Sequence, residues 1–100
     1  MLVVPVNATP TQTLSVVLNG QNCSMRIFQT DNYGLYLDLY LDDALIVGGR
    51  LCLDRTWIVR AAYSDFVGDL MFIDQQGISD PTYDGLGDRF LLYYSEPSST

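Results

Sequence analysis

The groups that could do chemistry in this 100-residue chain are eleven aspartates, one glutamate, five arginines and two cysteines; there is no histidine and no lysine. Without imidazole, neither a Ser-His-Asp nor a Cys-His arrangement can be assembled within the chain. Zinc sites built from Cys and His are excluded, since two thiols are too few. Schiff-base chemistry goes with the missing lysine. No Walker A and no dinucleotide fingerprint occurs. Carboxylate chemistry and binding of a hard cation remain.

The segment that best suits either is Gln75 to Asp88, flanked or punctuated by Asp74, Asp80, Asp84 and Asp88. Four carboxylates in a Gly-containing loop could wrap Ca²⁺ or Mg²⁺ through oxygen, but the spacing is not that of an EF-hand, whose ligands recur every second residue. Asp is also a favoured turn residue because its side chain bonds nearby backbone, and turn chemistry is the simpler account of each one. A glycosidase-like carboxylate pair can be drawn from the same residues, as from any acidic β-protein, and has no specificity without a known separation. No catalytic residue, metal ligand or cofactor is assigned. A carbohydrate- or Ca²⁺-binding β-module stays as the alternative function.

The net charge is −7. Nucleic-acid binding needs clustered cations that release counterions, whereas Arg26, Arg50, Arg55, Arg60 and Arg89 are scattered through the sequence. No specific nucleic-acid binding is expected. Cys23 and Cys52 each lie in an apolar run; a bridge is open in principle, but buried free thiols are the reading such surroundings favour. Met1 to Val6 is too short and lacks the basic start of a leader, which suggests synthesis in a cytoplasm. No run of about 20 apolar residues occurs, so no membrane insertion is expected.

The elements that must position these groups are strands. Residues 1–10 are extended and interrupted by Pro5 and Pro10, which suits an arm or an edge strand. Gln12 to Leu18 and Gln21 to Gln29 flank Asn19-Gly20, a type I′ hairpin signal. Leu14, Val16 and Leu18 share one face of the first arm; Cys23, Met25 and Ile27 share one face of the second. Asp31-Asn32 and Gly34 form a break. Leu35, Leu37, Leu39 and Leu41 then alternate with Tyr36, Asp38 and Tyr40, giving a leucine face and an aromatic-acidic face. Leu45 to Val47 and Leu51 to Leu53 read as two short strands around a bulge or kink at Gly48-Gly49. Trp57 to Ala62 has no clean period, and Asp65 to Gly68 is loop-like. Asp69 to Asp74 and Arg89 to Tyr94 are the last strands. Gly20, Gly34, Gly48, Gly49, Pro81 and Gly87 are the turn and structural positions. The expectation is one antiparallel sandwich or barrel of about seven to eight short strands over residues 11–94, with a flexible tail at 95–100.

Tyr36, Tyr40, Trp57, Tyr63, Tyr83, Tyr93 and Tyr94 are many polar-tipped aromatics for one small domain. Tyr, Trp and Arg are enriched in protein interfaces, but cross-strand aromatic pairs also shield an isolated sheet. Both readings stand. The candidate interface residues are Tyr36, Asp38, Tyr40, Trp57, Arg60 and Tyr83.

The order of motifs resembles a known family. A Pro-Thr-rich lead precedes Thr13 to Leu18, the Asn19-Gly20 turn and an arm with Arg26. Tyr36-Leu37-Asp38-Leu39-Tyr40 and Gly48-Gly49-Arg50-Leu51 follow. Asp80-Pro81, Leu86-Gly87-Asp88-Arg89 and Leu92-Tyr93-Tyr94 close the chain. This is similar to the small baseplate plug proteins of myophages, from about Thr11 to Tyr94. Where many of those have Trp-Tyr, this chain has Gly34-Leu35-Tyr36 and keeps the tyrosine. The resemblance implies a structural part of a contractile tail baseplate, located in the virion. Its implied partners are hub, tail tube or spike proteins and copies of itself in a symmetric assembly. It carries no catalytic residues.

Overall fold

The computed structural model describes residues 2–30, 34–60 and 66–96. The turn expected at Asp31-Asn32, the end of the segment from Trp57 to Ala62, Asp65, Tyr63 and the tail beyond Glu96 lie outside them.

The first strand, β1 (Leu2–Val4), is followed by a meander of β2 (Thr11–Leu18), β3 (Gln21–Thr30), β4 (Gly34–Leu41) and β5 (Ala44–Leu51). After an irregular stretch come β6 (Asp69–Asp74), a short 3-10 turn (Tyr83–Gly85) and β7 (Phe90–Ser95). Two antiparallel sheets result, one of four strands in the order β2-β3-β4-β5 and one of three in the order β1-β7-β6. The expected all-β class holds, and two separate sheets make it a sandwich. Leu2–Val4 takes the edge-strand option by pairing with β7.

The hairpin register follows from its turn. Asn19 and Gly20 both have positive φ, 52° and 76°, as a two-residue type I′ connection requires. Leu18 therefore faces Gln21, and Leu14, Val16, Cys23, Met25 and Ile27 fall on one face. Leu35, Leu37 and Leu39 of β4 join them and are fully buried. From the other sheet Val4, Leu70, Phe72, Phe90, Leu92 and Tyr94 point into the same cluster. This single interleaved core is what fixes the two sheets face to face, since apolar area removed from water is the main favourable term.

The two short strands expected around Gly48-Gly49 are one strand. The β4–β5 register shifts between Leu37/Leu39 and again between Leu39/Tyr40. The Asp38 carboxylate accepts the Gly49 N–H at 2.5 Å, which gives the bulged backbone a partner and lets pairing resume at Arg50 and Leu51. Leu53 lies outside any strand. The strand expected from Arg89 to Tyr94 runs Phe90–Ser95.

Candidate interface on the four-stranded sheet

The face of the four-stranded sheet opposite the core carries a continuous set of side chains. Strand pairing lines up Thr11, Phe28, Tyr36 and Leu51 in one row across β2 to β5. The next row holds Thr13, Arg26 and Asp38; the third holds Ser15, Ser24, Tyr40 and Leu45. Tyr36, Asp38 and Tyr40 share this face because they alternate with the buried leucines.

The rings of Phe28 and Tyr36 stack with centroids 5.8 Å apart and planes 18° from parallel. The Arg26 guanidinium lies over the Phe28 ring, 4.5 Å from its centroid, and faces the Asp38 carboxylate at 3.9 Å. Asp38 thus serves two groups: the bulge amide of Gly49 and the Arg26 charge. The arginine side chain is 52% exposed, so the pair stabilises the fold little and mainly fixes where the charge stands. Leu45 and Leu51 leave apolar surface in water beside it, at 58% and 39% exposure. Aromatic residues and arginine are the types enriched at protein interfaces.

The remaining interface candidates are elsewhere. Trp57 forms an isolated bridge with Met71 of β6, beside the other sheet. The Arg60 backbone N–H donates to Asp69 at 2.9 Å, next to Val59, whose N–H donates to the same carboxylate at 2.7 Å. Tyr83 starts the 3-10 turn and gives its N–H to the Gln29 side chain at 3.2 Å. The structure does not bring these three to the Tyr36–Asp38–Tyr40 face. Conversely, sequence reading missed Phe28 as the partner of Tyr36. Its signal was the β3–β4 register, which a reading of each strand by itself does not supply.

The second sheet also has an outer row. Val3, Tyr93 and Met71 face one another across β1, β7 and β6, and Leu91 faces Ile73. These positions alternate with the buried ones and are half-buried, apart from exposed Val3.

The aspartate-rich loop is occupied by its own backbone. Asp74 is buried and accepts from Gln76 N–H and Ser79 N–H, both at 2.9 Å, and from Arg89 through Nε at 2.8 Å and Nη2 at 2.9 Å. Hydrogen bonding from Arg89 holds this carboxyl well below the usual carboxylate range, against the opposing effect of burial. Asp80 accepts the Asp54 N–H at 3.0 Å, Asp54 accepts the Asp74 N–H at 2.8 Å, and Asp84 accepts the Thr82 hydroxyl at 2.6 Å. Arg55 reaches the Gly77 carbonyl at 3.1 Å and the Asp74 carbonyl at 3.3 Å. Among the described residues no three carboxylates or thiols converge in a way that could hold a metal ion. Asp74 fastens the turn that follows β6, as Asp side chains commonly do.

Pro81 is buried, and Gly87 (φ 81°) allows close approach of another chain segment: a Cβ there would stand 2.5 Å from the Val6 carbonyl oxygen. Gly34 begins β4, and Gly48-Gly49 lie in β5. Cys23 and Cys52 are free and buried. Burial pushes both thiols up, that of Cys52 to about 12.

Among the described residues, three of the five arginines, Arg26, Arg55 and Arg89, face carboxylates. No helix among the described residues is long and apolar enough to cross a membrane.

Taken together, fold and face define a small antiparallel β-sandwich in which buried Asp74 serves its own loop and the outer face of the four-stranded sheet carries Arg26, Phe28, Tyr36, Asp38 and Tyr40. Residues 1–97 match the model of the family described as Cyanophage baseplate Pam3 plug gp18, and the chain belongs to that family. A search of curated proteins finds no match.

Proposed function

We propose that the chain is a non-catalytic structural subunit of a contractile phage tail baseplate, a plug-like part near the central hub, tube or spike, working by protein–protein assembly in the virion. The observation that carries this reading is the family match over residues 1–97. The arrangement of the outer sheet face supports it. Phe28, Tyr36 and Tyr40 present ring surface, and Arg26 and Asp38 present a directed charge pair. Such groups give contact area and orientation without any reacting centre. In a symmetric baseplate each contact is repeated by every copy, so a modest contact per subunit suffices to hold a ring.

The test is quantitative mass spectrometry of tails purified from the phage that encodes the chain. A fixed ratio of this chain to tube and sheath proteins is expected, and crosslinks should join it to hub, tube or spike proteins. Its absence from mature tails would overturn the reading and favour an assembly factor.

A further inference from the structure

A sheet edge offers unpaired backbone groups, and proteins ordinarily blunt such edges with proline, charge, bulges or a covering segment. Three of the four edges here are blunted. β1 has three residues and runs into Pro5. β5 is bulged and carries Arg50. The free side of β6 is covered by the segment before it, with Arg55 N–H on the Phe72 carbonyl at 2.8 Å and Ile58 N–H on the Leu70 carbonyl at 2.9 Å. The fourth edge, β2, is different: eight residues, TQTLSVVL, with no proline and no charge.

Which of its amides are free follows from the register. The Pro10 carbonyl accepts the Gln29 N–H at 2.8 Å, and Leu18 faces Gln21 across the two-residue turn. Hydrogen-bonded pairs alternate along an antiparallel ladder. Gln12, Leu14, Val16 and Leu18 therefore bond to β3, and the N–H and C=O of Thr11, Thr13, Ser15 and Val17 point away from the sheet. The Thr11 carbonyl is taken by the Thr9 hydroxyl at 3.2 Å. Among the described residues nothing bonds the outward groups of Thr13, Ser15 and Val17, and all three residues are exposed. Beside this edge lies an open groove of about 390 Å³, lined by Ser15, Val17, Asn22, Ser24, Asp42 and Asp43 among others. Its charged lining is two carboxylates and no cation.

We propose that β2 is a strand-addition site. It takes an extended segment of a neighbouring baseplate protein, which pairs with Thr13, Ser15 and Val17 and places a lysine or arginine beside Asp42 and Asp43. Backbone pairing supplies the attachment, and the acidic groove selects the segment. The proposal rests on the baseplate reading above and names the edge through which this subunit would be held.

Residue-resolved amide hydrogen exchange, on the isolated chain and on purified tails, tests it. In the isolated chain the amides of Thr13, Ser15 and Val17 should exchange freely, while those of Gln12, Leu14 and Val16 are slow. In tails the first three should slow by about a hundredfold or more, as bonded strand amides do. If the chain is present in tails and these amides stay fast, strand addition is wrong and the baseplate reading survives. If the chain is absent from tails, both fail. Slow exchange of the three amides in the isolated chain, growing with concentration, would assign the edge to a second copy and overturn the proposed occupant. Two variants give an independent readout. Ser15→Pro removes one outward N–H and no β2–β3 bond, so it should enter tails about fivefold less than Ser15→Ala, the difference expected for one lost bond of about 1 kcal/mol. Equal incorporation of the two variants would also overturn it.

Discussion

Arg89 grips Asp74 through two parallel hydrogen bonds, Nε to Oδ1 at 2.8 Å and Nη2 to Oδ2 at 2.9 Å. The pair joins the end of β6 to the residue before β7 and closes the base of the loop between them. The Gln76 and Ser79 amides complete the ring of donors around the carboxylate. Asp74 is therefore a staple, and what it holds is the position of β7 in the core.

The depressed Asp74 pKa makes stability depend on acid. Above about pH 4 the unfolded carboxylate is ionised as well, and the contribution of the native pair is fully present. Below that, the unfolded chain takes up a proton that the folded chain resists, so stability falls as pH drops toward the folded value. Urea midpoints measured from pH 6 to pH 2 should decline for the native chain. Asp74→Asn should start lower and show a flatter acid limb. Equal acid slopes would mean that another carboxylate governs.

Core and face should separate cleanly on substitution. Leu37 is fully buried between the sheets, and Leu37→Ala should cost about 2–5 kcal/mol. On the outer face, Tyr36→Ser loses the stacked Phe28 pair and should cost about 1 kcal/mol. Tyr40→Ser, opposite Ser24 and Leu45, should cost no more than about 1 kcal/mol, and both should reduce incorporation into tails. Chemical denaturation gives the first quantity, and tail composition with infectivity gives the second. Normal tails from both tyrosine variants would remove this face from the interface.

Two glycines with positive φ allow strain and collision to be told apart. At Gly20 an added methyl meets nothing within 4 Å, so Gly20→Ala should cost about 1–2 kcal/mol from the left-handed backbone alone. At Gly87 the same methyl would also strike the Val6 carbonyl oxygen. Gly87→Ala should be the more damaging, by roughly another 1–3 kcal/mol, the scale of an overpacked contact. Thermal midpoints of the two variants decide the order.

The buried thiols predict alkaline sensitivity. Cys52, raised to about 12 by burial, keeps its proton in the fold at pH values where an unfolded thiol has lost it. A raised folded pKa contributes stability that is complete below the unfolded value, about 8.5, and is lost as pH rises toward the folded one. Native chain at pH 7 should react with a thiol reagent only through unfolding, so the labelling rate should rise with urea. Fast labelling of both cysteines in the native state would contradict their burial.

Much of this architecture was legible in the residues. The Asn19-Gly20 turn set the first hairpin, because two adjacent positive φ angles leave few other connections. The Leu35–Leu41 alternation announced a core face and an outer face, because strand side chains repeat every second residue. Both signals are local, so neighbouring residues carry them completely. The pairing of Phe28 with Tyr36, the bulge held by Asp38 and Gly49, and the grouping of Asp54, Asp74, Asp80 and Arg89 were not legible. Each joins residues whose separation in the chain says nothing of their separation in space. Tertiary structure also decided which interface candidates belong together: Tyr36, Asp38 and Tyr40 follow one strand onto one face, while Trp57, Arg60 and Tyr83 go where the irregular segments carry them. Local periodicity thus determined the strands and their buried sides. Closure of two sheets on one core, which only long-range burial can drive, decided what surface those strands present.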